Sequence, residues 1–279
     1  MKRLLPKLDW ITVHRNQAAY RLPYCFRKGN GGPALLFVHG LGGCKENFYA
    51  AFQSAALADC DLLTFDFPGT GLAEFDATTC PDVSTLAELA HLVWKALLPG
   101  PVFLVVASMG GLVGLLMMRK YGSAGVQGFI NIEGNLAAED CMFSRRVTSH
   151  TFDELSKNLF REIQRELRAS RYPCDHMIAH NMLLNTDIRA YIQYSFETVR
   201  ESDSDRLLDE FLGMPVPRLF LYGEANRTLS YLPKLRVSEV EVNEVPQSAH
   251  FLFYDNPAET FEMVGRFVAK HSGSSDRRC

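Results

Sequence analysis

"PVFLVVASMGGLVGLLMMRKYG", residues 101–122, holds two structural signals joined at a single serine. Pro101 leads into an unbroken apolar run ending at Ala107, which reads as a strand buried on both faces. After Ser108 come Met109, two glycines and a segment apolar on most sides, of helical length and closed by Gly122. The serine between them admits two readings. Ser and Gly punctuate turns everywhere. A serine on a tight strand-to-helix turn is also where an exposed nucleophile belongs. The stretch fixes a strand–turn–helix unit; the rest of the chain has to decide the serine.

Outward from it the same rhythm repeats. "ALLFVHG" (34–40), "DLLTFDFPG" (61–69) and "GFINIEG" (128–134) are short apolar runs closed by turn residues. Leu86, Leu89, Ala90, Val93 and Leu97 fall on one helical face behind a cap expected at Ser84. "AAYRLPYCFRKGNGG" suits an antiparallel hairpin at one edge. The alternation predicts an α/β fold: a mostly parallel central sheet with helices on both faces. From Leu136 to Gly213 no strand-like run occurs. Phe152, Leu155, Leu159, Ile163 and Leu167 make a helical stripe there, and more helical text follows in "DHMIAHNMLLNTDIRAYIQYSFETV" and "DSDRLLDEFLG". Strands return at "PRLFLYGEAN" (217–226) and "EVEVNEVPQSAH" (239–250), and a last amphipathic helix runs from Pro257 to Lys270. The expected organisation is a core of residues 1–135 and 214–271, an inserted helical cap over 136–213, and a disordered tail at 272–279.

Composition narrows the function. A net charge of −3 and no basic block before the tail "SDRRC" give no reason to expect nucleic acid or a membrane surface as partner. No apolar run reaches the ~18 residues needed to span a bilayer. The N-terminus "MKRLLPKLDWITVHRN" lacks the apolar segment and cleavage site of a signal peptide. Seven scattered cysteines without a C-x-x-C read as free thiols in a reducing cytoplasm. The eight histidines form no H-x-x-H pair, so neither a structural metal nor a cofactor is expected. A small-molecule substrate is the expected partner, and oligomeric state is not fixed.

Sites in such sheets form outside the carboxyl ends of the strands. There this chain presents His39 to Gly43, then "DFPGTG", Ser108, Glu133, "GEAN" and His250. A serine, a carboxylate and a histidine in that order allow acyl-transfer chemistry: serine needs a base to take its proton, and histidine, with an ordinary pKa of about 6.5, is that base. Five motifs in order, "HGLGG" (39–43), "DFPGTG" (66–71), "ASMGG" (107–111), "YGEAN" (222–226) and "SAHFLFYDNP" (248–257), make nearly the whole chain resemble the α/β-hydrolases. The family's nucleophile motif is G-x-S-x-G; here Val106 stands at the first small position.

The resemblance implies Ser108 as nucleophile, His250 as base, and the backbone N–H groups of Leu41 and Met109 as the oxyanion hole. It implies structural roles for His39 and Asp66, and a non-catalytic Glu224. The usual acid position, after "LFLYG", holds Asn226, which can orient an imidazole but not stabilise an imidazolium. Glu133 occupies the position where haloalkane dehalogenases and certain lactonases of this fold carry their acid, and it is the expected third member. The expected function is acyl-enzyme hydrolysis of a carboxylic ester, lactone or thioester of a small to medium apolar substrate. Ser108 argues against dehalogenase and epoxide hydrolase chemistry, whose relatives use aspartate. The alternative is a ligand receptor of the same fold with little or no turnover, and a Glu133–His250 contact discriminates the two. Within the insertion, Phe143, Met177, Met182, Tyr191, Tyr194 and Phe196 either line the pocket or pack helices. Arg145 and Arg146 either meet an acidic substrate or are solvated.

Overall fold

The computed structural model describes residues 6–76, 78–79, 81–150, 154 and 158–272. Eight strands form one sheet: β1 (Lys7–Arg15), β2 (Ala18–Arg27), β3 (Ala34–Val38), β4 (Asp61–Phe65), β5 (Val102–Ala107), β6 (Val126–Ile132), β7 (Arg218–Gly223) and β8 (Glu241–Val245). Their order is β1-β2-β4-β3-β5-β6-β7-β8. From β4 across to β8 all pairs are parallel, and β1 and β2 form an antiparallel hairpin on the outer edge of β4. The mostly parallel sheet with helices on both faces is therefore as the sequence predicts. The edge hairpin is there too, but its first strand comes from residues 7–15, upstream of the stretch that signals it.

The central strands carry no polar face because both sides are covered. Leu36, Val38, Leu63, Phe65, Leu104 and Val106 belong to one core. Leu35, Phe37, Leu62, Phe103, Val105 and Ile130 belong to the other. On the first side pack α1 (Val83–Leu97), through Leu86, Leu89 and Val93, and α2 (Met109–Tyr121), through Leu112 and Leu115. The cap of α1 is Asp82, not Ser84: the Asp82 carboxylate accepts from Thr85 N at 2.6 Å and from the Ser84 hydroxyl at 2.8 Å. Asp82 holds the extended backbone a cap requires, so Ser84 falls inside the first turn.

Between β6 and β7 the described residues form helices: α3 (Met142–Thr148), α4 (Phe160–Ala169), α5 (Pro173–Leu184), α6 (Ile188–Ser202) and α7 (Leu207–Leu212). Of the expected helical stripe, Ile163 and Leu167 are buried on α4 and Leu159 just before it, whereas Phe152 and Leu155 lie outside the described residues. After β7 come α8 (Leu232–Arg236), α9 (Leu252–Asp255) and α10 (Pro257–His271). α10 covers the second face through Phe261, Val264, Phe267 and Val268, and it runs one residue past the expected Lys270. The expected tail lies, beyond Ser272, outside the described residues. Cys25, Cys44, Cys60, Cys141 and Cys174 are buried free thiols, while Cys80 and Cys279 lie outside the described residues. Among the described residues no helix is long and apolar enough to cross a membrane.

Candidate active site

β5 ends at Ala107 and α2 begins at Met109, so the whole reversal falls on Ser108. Its backbone sits at φ 52° and ψ −128°, a conformation that costs a non-glycine residue about 1–3 kcal/mol. Neighbours hold it there. Ser108 N donates to Ile132 O at 3.3 Å, while Gly111 N and Asn135 N donate to Ser108 O at 2.7 and 3.1 Å. The loop after β3 approaches so closely that a Cβ on Gly40 would lie 2.6 Å from Ser108 Cβ. Val106, the departure from the small-residue pattern, is fully buried. Room for it comes from the facing helix: a Cβ on Gly114 would lie 3.0 Å from Val106 Cγ1. Met109 opens the helix, so its N–H has no intrahelical acceptor, and it borders the same pocket as Ser108 and Leu41.

The carboxylate comes from the adjacent strand. Glu133 follows β6 directly, at φ 43°, with its N–H donating to Leu221 O at 3.0 Å. Its side chain is almost fully buried and every oxygen is engaged. Oε1 accepts from Gly223 N at 2.7 Å and Asn226 Nδ2 at 3.0 Å. Oε2 accepts from Asn226 Nδ2 at 2.7 Å and from His250 Nδ1 at 2.7 Å. A carboxylate only accepts, so Nδ1 carries the proton and Nε2 is the basic nitrogen. His250 lies between β8 and α9, in a turn tied down by Ala249 N donating to Asp255 Oδ2 at 2.9 Å, with the Phe251 ring 4.5 Å away. Burial pulls the His250 pKa down, but the hydrogen bond and charge of Glu133 outweigh it and hold the value above the ordinary 6.5.

Ser108, Glu133, Asn226 and His250 thus line one pocket, with Leu41 and Met109 beside them. Asn226 takes a place the sequence did not disclose: it donates to both oxygens of Glu133. Glu224 points elsewhere, accepting from Gln247 N at 2.8 Å. His39 is fully buried below the site, its Nδ1 donating to Gly40 O at 2.9 Å and its Nε2 accepting from Phe67 N at 3.3 Å; burial pushes its pKa down to about 4. Asp66 is also fully buried and pairs with Lys45 at 2.8 Å.

Of the six apolar candidates in the insertion, Phe143, Met182 and Tyr191 line the pocket. Met177 and Phe196 are exposed, and Tyr194 is buried against the core with its hydroxyl donating to Pro68 O at 2.9 Å. Met142, Leu167 and Ile178, not singled out from sequence, line the pocket as well. Arg145 pairs with Asp203 and Arg146 with Glu166, and neither lines the pocket.

A family model described as the alpha/beta hydrolase family matches residues 35–263. The sn-1-specific diacylglycerol lipase ABHD11 of Danio rerio is 22% identical over 266 residues, covering 86% of this chain and 80% of that protein. Among solved structures, a thermophilic esterase from Thermogutta terrifontis with malate bound superposes with a TM-score of 0.74 at 18% identity, over 95% of this chain and 99% of that one. A mutant of the N-acyl homoserine lactonase AidH, complexed with N-hexanoyl homoserine, gives a TM-score of 0.73 at 14% identity, over 98% and 100%. At these identities the structural likeness speaks to the fold.

Proposed function

The chain belongs to the α/β-hydrolase family, and from that premise we propose that it is a serine hydrolase of carboxylic esters, working through an acyl-enzyme on Ser108. The observation that carries the reading is the 2.7 Å bond from His250 Nδ1 to Glu133 Oε2, in a pocket that Ser108 also lines. It supplies the acid that Asn226 cannot be, and that a binding-only protein of this fold has no need of.

In this reading Ser108 Oγ attacks the ester carbonyl as His250 Nε2 takes its proton. The N–H groups of Leu41 and Met109 receive the oxyanion. The carbonyl–alkoxy bond then breaks, and the alcohol leaves with the proton from His250. Water, deprotonated by the same nitrogen, attacks the acyl carbonyl, and Ser108 departs with its proton restored. Glu133 stabilises the imidazolium in both halves, and Asn226 and Gly223 N–H keep the carboxylate aimed. Residues 136–213 act as a cap on a core of residues 1–135 and 214–271; the mostly apolar lining they provide suits small to medium apolar substrates.

The test is labelling with a fluorophosphonate alongside hydrolysis of short-chain p-nitrophenyl esters by wild type and three variants. Ser108→Ala is expected to lose both label and turnover. Glu133→Gln is expected to keep the fold and lose turnover by about 10³–10⁴-fold, as acid-to-amide replacement does in serine proteases. Asn226→Ala is expected to stay within about tenfold of wild type, since it removes hydrogen bonds to a carboxylate that keeps two other partners. Turnover that survives Ser108→Ala overturns the reading.

A further inference from the structure

Two hydroxyls that line the pocket have no partner among the described residues: Ser108, the proposed nucleophile, and Ser144. Ser144, on α3, is 6% exposed and lines the pocket, and its side chain makes no hydrogen bond among the described residues. Its oxygen is open to the pocket and uncommitted, so a bound ligand can supply the partner that the protein does not. Its counterparts on α6 behave differently: Ser195 and Thr198 each donate at 2.7 Å to the carbonyl one turn back. Near the same pocket wall, Asn135 commits its Nδ2 to Cys141 Sγ at 3.4 Å and Ser202 Oγ at 3.3 Å. Its Oδ1 accepts nothing among the described residues, so the lining offers an uncommitted acceptor as well as the serine's hydroxyl.

Apart from His250, the ionisable groups that line the pocket with these two, Tyr191 aside, are carboxylates. Glu133, Glu139 and Asp140 line the pocket, and no lysine or arginine among the described residues does. Both added carboxylates are fixed in place. Glu139 Oε1 accepts from Ser230 N at 2.9 Å and Ser230 Oγ at 2.6 Å. Asp140 Oδ2 accepts from Leu136 N at 2.7 Å and Ala137 N at 2.9 Å, and its Oδ1 from Tyr231 at 2.8 Å. Burial lifts the Asp140 pKa to about 6, which leaves it ionised above neutrality. Arg145 and Arg146, the cations nearest in sequence, are committed to Asp203 and Glu166. Once His250 is neutral, as its role as base requires, a substrate carboxylate would meet like charge with no lysine or arginine in the lining to offset it.

We propose that the pocket selects uncharged acyl substrates carrying a hydrogen-bonding group, with Ser144 as the residue that reads that group. The inference rests on the ester-hydrolase reading and names the substrate class for that same site. Specificity of this kind arises because a substrate that bonds the hydroxyl gains over an analogue that leaves it to water.

The test compares kcat/KM on three ethyl esters of similar size: butyrate, 3-hydroxybutyrate and the monoethyl ester of succinate. Wild type is expected to favour 3-hydroxybutyrate over butyrate by about 3–10-fold, the worth of one neutral hydrogen bond. Monoethyl succinate is expected to be at least about tenfold poorer than butyrate. Ser144→Ala should bring the hydroxybutyrate-to-butyrate ratio to about one while leaving the discrimination against succinate in place. Fluorophosphonate uptake at Ser108 in the variant shows that it is folded. If butyrate turns over but Ser144→Ala leaves the ratio where it was, or if succinate reacts as fast as butyrate, this inference fails and the ester reading stands. If none of the three turns over, the ester reading fails and takes this inference with it.

Discussion

His250 stands between two opposed influences, and which one wins is measurable. Burial favours the neutral ring; the Glu133 hydrogen bond and charge favour the cation, and they win, so the pKa lies above 6.5. A general base must be neutral to act, so kcat/KM should fall as pH drops through that raised value, with the midpoint of the acid limb above 6.5. In Glu133→Gln the raising influence of its charge is removed while burial remains, and the acid limb of the residual activity should move below 6.5. A pH–rate profile of both proteins on one p-nitrophenyl ester checks this; a midpoint that does not move would mean that Glu133 is not what sets His250. The stability sign follows from the same shift. A pKa raised on folding adds stability that is complete below the unfolded value of about 6.5 and is lost as pH climbs through the folded one.

At the scale of elements, the elbow shows what the chain announced and what it hid. The run into Ser108, the glycines after it and the apolar helix beyond were legible because strand and helix periods differ and the turn falls between them. Legible too was Glu133 as an ionisable group leaving an apolar strand, beside an amide where the family's acid usually stands. The Asn226–Glu133 bonds were not, because they depend on β6 and β7 lying side by side, with Ile132 opposite Leu221. Nor was β1: an exposed edge strand has only one partner and little apolar surface to pattern, so its text resembles loop. Helical spacing likewise could not separate Tyr194, which faces the core, from Tyr191, which faces the pocket. Gly114 was hidden for a related reason, since its need is set by Val106 and Phe129 across the α2–sheet contact. Adding a methyl at Gly114 would bring it 2.9 Å from Phe129 Cζ and 3.0 Å from Val106 Cγ1, both on side chains with no free surface. Gly114→Ala should therefore lose about 1–2 kcal/mol, overpacking exceeding the roughly 1 kcal/mol gained in helix propensity. Val106→Ala frees the space, so the double variant should be more stable than the two losses summed, by about 1 kcal/mol. Urea midpoints of the four proteins decide it, and an additive cycle would sink the accommodation.

Across the whole molecule, the loops that carry the site are stitched to the sheet by polar groups with no access to solvent. Asp66 follows β4, and its Oδ1 accepts from Lys45 N at 2.7 Å, at the start of the turn that ends the loop after β3. Its Oδ2 accepts from Lys45 Nζ at 2.8 Å and from Leu72 N at 3.0 Å, in the loop that follows β4. His39 makes the parallel link, with Nε2 accepting from Phe67 N. The loops after β3 and β4 therefore share one carboxylate, which does not line the pocket. Replacing Asp66 with asparagine keeps the shape but turns one acceptor into an NH₂, set against a donor whichever way the amide points, and deprives buried Lys45 of its principal counter-charge. Breaking a buried pair from one side costs about 3–5 kcal/mol. The lower end applies here because Glu46 still lies 2.7 Å from Lys45 Nζ. A loss of about 3 kcal/mol is a large share of the roughly 5–15 kcal/mol that holds a domain folded, so Asp66→Asn should shift the urea midpoint sharply downward. Turnover per folded molecule, measured well below that midpoint, should stay within a few-fold of wild type. The opposite pattern, an unmoved midpoint with turnover gone, would place Asp66 in the chemistry and not in the frame that carries it.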